Sequence, residues 1–97
     1  MACRFVTRIT DNGSGHGCYP PRPAITGSPN VFVNNLAVVR VTDKYDTHCC
    51  GPSCHDGFLE EGSTTVFVNN LAIGRQGDPI NCGSFVDEHS PDTCAGD

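Results

Sequence analysis

Apolar and polar positions alternate over short distances only in this chain, and they do so twice in the same order. Val31-Phe32-Val33 leads into Asn34-Asn35 and then Leu36-Ala37-Val38-Val39, while Val66-Phe67-Val68 leads into Asn69-Asn70 and then Leu71-Ala72-Ile73. β-Branched and aromatic runs favour strands, and Asn tolerates the positive φ angles of a two-residue hairpin turn. Each copy therefore predicts a β-hairpin. The full repeat runs from Gly27 to Arg40 and again from Gly62 to Arg75. It implies one structural unit reused, and such units bury their apolar faces by packing on one another.

A shorter pattern occurs three times, as Arg8-Ile9-Thr10-Asp11, Arg40-Val41-Thr42-Asp43 and Arg75-Gln76-Gly77-Asp78. After each Asp stands a potential metal ligand, His16, His48 or Cys82. Each copy then leads to a serine turn: Ser28-Pro29-Asn30, Ser63-Thr64-Thr65 and the less well kept Ser90-Pro91-Asp92. The first copy begins mid-unit and the third stops mid-unit, at Thr93-Cys94-Ala95-Gly96, so the two halves complete each other if the chain closes into a ring. The expected fold class is all-β, a pseudo-threefold domain of short hairpins. It would be a single domain over 1–97, with 83–97 a degenerate third repeat or a tail. Three similar sectors suit a cap on an object of true threefold symmetry. The proline-dense segment 16–23 and the ligand-dense segment 47–57 read as loops.

Size changes this picture by demanding a staple. A chain of 97 residues with 11 Gly, 7 Pro and 7 Cys has a thin core, to be held by disulfides or by a metal. The segment Met1 to Val6 lacks the apolar stretch of a signal peptide, which implies synthesis and folding in the cytosol. Reducing conditions there and an odd cysteine count argue against a full disulfide framework and favour metal ligation for some thiols. The net charge is −5 and the 6 Lys and Arg are scattered, which argues against nucleic acid as a partner. No run approaches the roughly 18 apolar residues of a membrane span.

A structural zinc needs four nitrogen or thiolate donors converging tetrahedrally, and loops from separate repeats can deliver them. His16, His48 and Cys82 are repeat-equivalent, and His55 is the expected fourth, placed before Ser63 as Cys82 is before Ser90. Cys49, Cys50 and Cys54 are rivals for a zinc-ribbon-like half site, or small buried packing residues. Cys3, Cys18 and Cys94 show no ligand pattern, and His89 is expected to be exposed. Asp11, Asp43 and Asp78 are expected to cap turns rather than to orient ligating histidines, with Arg8, Arg40 and Arg75 as surface partners of little energetic weight. Nothing points to an enzyme: Gly13-Ser14-Gly15-His16-Gly17 lacks the Lys of a phosphate loop, and four protein ligands leave no site for water.

Several segments together resemble the PAAR-repeat family, in particular the small members that tip the spikes of T4-like phage tails. They are Gly15-His16-Gly17-Cys18-Tyr19-Pro20-Pro21-Arg22-Pro23, the two Val-Phe-Val-Asn-Asn hairpins, His48-Cys49-Cys50-Gly51-Pro52-Ser53-Cys54-His55 and Gly77-Asp78-Pro79-Ile80-Asn81-Cys82-Gly83-Ser84. The family's Pro-Ala-Ala-Arg is replaced by Ala37-Val38-Val39-Arg40 and Ala72-Ile73-Gly74-Arg75, and its Asn-Gly turn by Asn-Asn. The resemblance implies a cone-shaped, metal-stapled β domain, with zinc, or iron in its place, held near the apex by three histidines and one cysteine. It implies a structural spike tip in the virion, one copy per homotrimeric β-helical spike, making transient contact with the target cell envelope. Strand alternation then offers Phe32 and Phe67, with Leu36 and Leu71, to the spike. The competing expectation is a small zinc-binding module that recruits cargo or effectors.

Overall fold

The structure, a computed structural model, describes residues 3–96; Met1, Ala2 and Asp97 of the expected 1–97 domain lie outside it. The strands are β1 (Cys3–Phe5), β2 (Asn12–Gly13), β3 (Arg22–Pro23), β4 (Phe32–Val33), β5 (Leu36–Ala37), β6 (Lys44–Cys50), β7 (Ser53–Phe58), β8 (Phe67–Val68), β9 (Leu71–Ala72) and β10 (Cys94–Gly96). They form five antiparallel pairs, β1–β10, β2–β3, β4–β5, β6–β7 and β8–β9. No helix occurs among the described residues, and so none is long and apolar enough to cross a membrane. The molecule is elongated, 40 × 28 × 23 Å.

Its centre is a closed ring. The amide of Val39 donates to the carbonyl of Thr7, that of Thr7 to Gly74, and that of Gly74 to Val39, at 3.1, 3.1 and 2.8 Å. The flanking bridges run Arg8 to Val38, Arg40 to Ile73 and Arg75 to Val6. Each sector is thus hydrogen-bonded to the next and the third to the first. An edge strand exposes unpaired amides, and cyclic closure removes that edge. The segments on the ring are buried: Val6, Thr7, Val38 and Val39 are at most 1% exposed.

The three Arg-x-x-Asp segments turn the chain away from the ring in the same way. The Asp carboxylate accepts the amide of the Arg three residues earlier and a second bond from its Nε, at 2.7–3.2 Å in the three copies. Arg8 and Arg75 are buried and Arg40 half-buried, with all three aspartates buried. They are not the surface pairs the sequence led us to expect, because the carboxylates bond their own turns inside the ring wall. Removing one partner would leave a buried unpaired charge, at a cost of about 3–5 kcal/mol. The third residue of each turn has positive φ: Thr10 at 73°, Thr42 at 83° and Gly77 at 85°.

Two hairpins match the sequence expectation closely. Asn34, Asn35, Asn69 and Asn70 all have positive φ, between 54° and 67°, and Phe32 stands opposite Ala37 as Phe67 does Ala72. The third hairpin is assembled from the first and last strands, with Phe5 opposite Cys94 and Arg4 opposite Ala95. Val6, Val38, Val68, Ile73 and Ala95 form one apolar cluster beneath these hairpins, and Ala24, Val39, Tyr45, Leu59, Ile80 and Val86 form a second. Burial pushes the Tyr45 hydroxyl pKa upward, so it stays neutral.

Four expectations need correcting. Segment 47–57 is no loop but most of the longest hairpin, β6–β7, turned by Gly51 at φ 62° beside Pro52. Within the proline-dense segment, Arg22–Pro23 is strand β3, a two-residue pair in which Pro is tolerated. Six of the seven cysteines pair, Cys3–Cys94, Cys18–Cys50 and Cys49–Cys54, leaving Cys82 free. Cys49, Cys50 and Cys54 are therefore neither ligands nor buried filler; strand register sets Cys49 directly opposite Cys54. His89 is half-buried rather than exposed, stacked on Phe5 at 5.2 Å.

Thr10 and Thr42 are exposed β-branched residues in a left-handed conformation where the third copy has glycine. Left-handed backbone costs an L-residue about 1–2 kcal/mol. Thr10→Gly and Thr42→Gly should each stabilise the protein, by about 0.5–1 kcal/mol after the greater unfolded-state freedom of glycine is set against the relief. Urea unfolding midpoints check it; a lower midpoint for both variants would contradict it.

Candidate metal centre

Register places two of the four predicted ligands. His48 on β6 stands directly opposite His55 on β7, so both imidazoles lie on one face of the hairpin. His16 arrives from a tight turn in which its amide and carbonyl both bond Tyr19, at 3.0 and 2.9 Å, with Gly17 at φ 56°. Cys82 arrives from a turn closed by Ile80 and Ser84, with Gly83 at φ 101°. Gly57 lets β7 pass beneath this thiol, since a Cβ there would meet Cys82 Sγ at 3.0 Å.

The donor atoms converge. Nε2 of His16 is 3.2 Å from that of His48 and 3.1 Å from that of His55, and the latter two are 2.7 Å apart. Cys82 Sγ is 3.9 Å from His48 Nε2, and all four ligand atoms lie within 4.8 Å of one another. A tetrahedral zinc with Zn–N of about 2.0 Å and Zn–S of about 2.3 Å has N···N edges of about 3.3 Å and N···S edges of about 3.6 Å. The three nitrogens stand slightly closer together than those edges and the sulfur farther out, so the donor set matches in kind and in convergence, and the thiol would have to close in to complete the tetrahedron.

Protonation points the same way. His48, buried, holds Nδ1 2.8 Å from the Pro20 carbonyl, which makes Nδ1 the donor, so that the neutral ring presents its Nε2 lone pair to the other two rings. Desolvation, then repulsion from His48 and His55, lowers the pKa of His16 below the ordinary 6.5. Each Nε2 of a neutral imidazole either donates or accepts, so the three mutual Nε2 contacts cannot all be hydrogen bonds, whereas a cation between them satisfies all three lone pairs. The group can hold a metal ion, and four protein donors around it leave no open position for water.

Other sequence candidates take different places. The carboxylates of Asp11, Asp43 and Asp78 bond arginines and turn amides, and the outer partner of the His48 ring is instead the Pro20 carbonyl. Phe32 and Phe67 are exposed at 54% and 57%, on separate hairpins, with Leu36 and Leu71 half-buried beside them. Those hairpins pack on the Val6 cluster, whereas Cys82 packs on the Ala24 cluster. Sequence reasoning missed Tyr19, whose ring lies 4.8, 4.9 and 4.2 Å from those of His16, His48 and His55. Only its adjacency to the ligand-bearing turn was visible in the sequence.

In comparison with known families, the sequence model described as the PAAR motif matches residues 14–86, a span that includes all four converging residues. No curated protein matches the chain.

The lowered pKa of His16 sets the sign of an acid effect. A group with a depressed folded pKa contributes stability that is complete above its unfolded value and is lost as pH falls through the folded one. For the metal-free protein, the melting temperature should hold above pH 7 and fall as pH drops below the ordinary histidine value of 6.5. Thermal melts from pH 8 to 5 check this, and His16→Gln should flatten the slope. A melting temperature that rises toward pH 5 would contradict it.

Proposed function

The chain belongs to the PAAR-motif family, and on that premise we propose that it is a structural spike tip of a contractile injection machine. In this reading one copy caps a homotrimeric β-helical spike of a phage tail, covering its strand ends and presenting a hard point to the target envelope. The observation that carries it is the ring. Three sectors joined cyclically by Thr7, Val39 and Gly74 give one polypeptide the symmetry of a trimer end.

The proposed docking face lies on the hairpins. Phe32 and Phe67 project from equivalent positions, flanked by Leu36 and Leu71. Where a third phenylalanine would stand, opposite Phe5, the chain has the Cys3–Cys94 disulfide. Aromatic residues are enriched at protein interfaces, and two exposed phenylalanines at equivalent positions supply a pair of such anchors.

The proposed apex is the His16, His48, His55 and Cys82 cluster. There the metal, which we assign as zinc from its three imidazoles and one thiolate, would supply a crosslink between segments from all three sectors. His48 and His55 are held in register by β6–β7, and the Pro20 carbonyl fixes the His48 tautomer. Reduced iron shares this donor preference, and elemental analysis separates the two. The role is structural rather than enzymatic. Three disulfides suit the oxidising medium outside a cell, where such a tip would work.

Co-purification with a candidate trimeric spike, followed by native mass spectrometry, tests the reading. One chain per three spike chains is expected. Phe32→Asp or Phe67→Asp should weaken the complex about thirtyfold, the loss of about 2 kcal/mol at an interface anchor. Three copies per spike, or undiminished binding of both variants, would contradict it.

A further inference from the structure

We infer that Tyr19 is a lid over the metal centre, latched by Ser53 and locked by the Cys18–Cys50 disulfide, so that a bound ion leaves only when the turn 16–19 opens. The inference rests on the metal-binding reading above and adds a residue that governs exchange rather than ligation.

Three observations carry it. The Tyr19 ring packs against all three imidazoles of the cluster, at centroid distances of 4.2–4.9 Å. An aromatic ring in that position withholds the donors from water and from incoming ligands, and the apolar surroundings of a metal site control solvent access. Secondly, the Tyr19 hydroxyl lies 2.8 Å from Ser53 Oγ, across on the far turn of the β6–β7 hairpin. The ring is thus pinned at its outer end as well as at its backbone.

Thirdly, the turn that carries the ring is itself tied down. Cys18, the residue before Tyr19, is bonded to Cys50 on β6, two residues beyond His48. The turn also folds back so closely that a Cβ at Gly15 would stand 2.3 Å from the Tyr19 carbonyl. Opening the lid therefore requires breaking the Ser53 contact and displacing a covalently anchored turn. Because His16 sits on that same turn, lid opening and loss of one donor are a single motion. Neither Tyr19 nor the disulfide supplies a ligand atom, so both act on the rate at which the ion is exchanged.

The test loads the full chain with Co2+, adds excess EDTA and follows the decay of the cobalt ligand-field absorption. Tyr19→Ala should keep one cobalt per chain and the spectrum of the parent, yet release the ion more than about thirtyfold faster. Tyr19→Phe keeps the ring and loses the latch, as does Ser53→Ala from the other side. Each should accelerate release about tenfold or less, the range set by one hydrogen bond. A Cys18→Ser/Cys50→Ser double variant should also release faster. Parent-like release from Tyr19→Ala, or Tyr19→Phe as fast as Tyr19→Ala, would overturn the lid while leaving the metal site standing. If Tyr19→Ala does not fold, the Tyr19→Phe and Ser53→Ala pair decides, and unchanged release in both overturns it. Failure of the parent chain to take up cobalt would remove the metal reading itself, and the lid with it.

Discussion

Three backbone hydrogen bonds among Thr7, Val39 and Gly74 determine how everything else in this molecule is arranged. They join segments far apart in sequence, so they come at a large entropic cost in loop closure, and they hold only because the side chains around them are buried. Once closed, the ring gives each sector the same neighbours. The next amides outward repeat the cycle, from Ile9 to Ala37, Val41 to Ala72 and Gln76 to Phe5. The Arg-x-x-Asp turns then direct the chain away from the ring by the same bonds in all three sectors.

The arrangement divides the work of stabilisation. Near the hairpins, the Val6 cluster supplies an apolar core, and Cys3–Cys94 closes the first strand on the last. Crosslinking residues 91 apart in sequence stabilises by about 4–5 kcal/mol in the chain-entropy account. Towards the four converging donors, the Ala24 cluster reaches as far as Cys82. Two disulfides crosslink this end, with Cys49–Cys54 immediately beyond the His48 and His55 pair on β6–β7, beside four donors that could hold a metal.

Much of this was legible because the chemistry repeats. The two Val-Phe-Val-Asn-Asn segments announced their hairpins, the spacing after each Arg-x-x-Asp singled out His16, His48 and Cys82, and the position before Ser63 added His55; the fold brings these four together. What was not legible depends on pairings between sectors. Asn34 and Asn69 read as turn formers alone, yet Oδ1 of each accepts from an arginine and from a serine, Arg8 and Ser90 for Asn34, Arg40 and Ser28 for Asn69. In the third sector the Gly96 carbonyl accepts from Arg75 and Ser63 instead, a substitution of backbone for side chain that no residue type reveals. The cysteines were misjudged because compartment was used as the guide. Cys49 and Cys54 are paired by strand register, Cys3 and Cys94 meet diagonally across β1–β10, and Cys18 reaches Cys50 from the turn before β3, juxtapositions that only the fold supplies.

The ring makes one demand that amide hydrogen exchange can check directly. If the three sectors close on one another, the amides of Thr7, Val39 and Gly74 open only with the whole molecule, and all three should exchange with the free energy of global unfolding. Agreement of the three with each other and with the denaturant-derived stability is the result predicted here. Fast, independent exchange at Thr7, with Val39 and Gly74 still protected, would mean that the first sector is not joined to the third and that no ring exists.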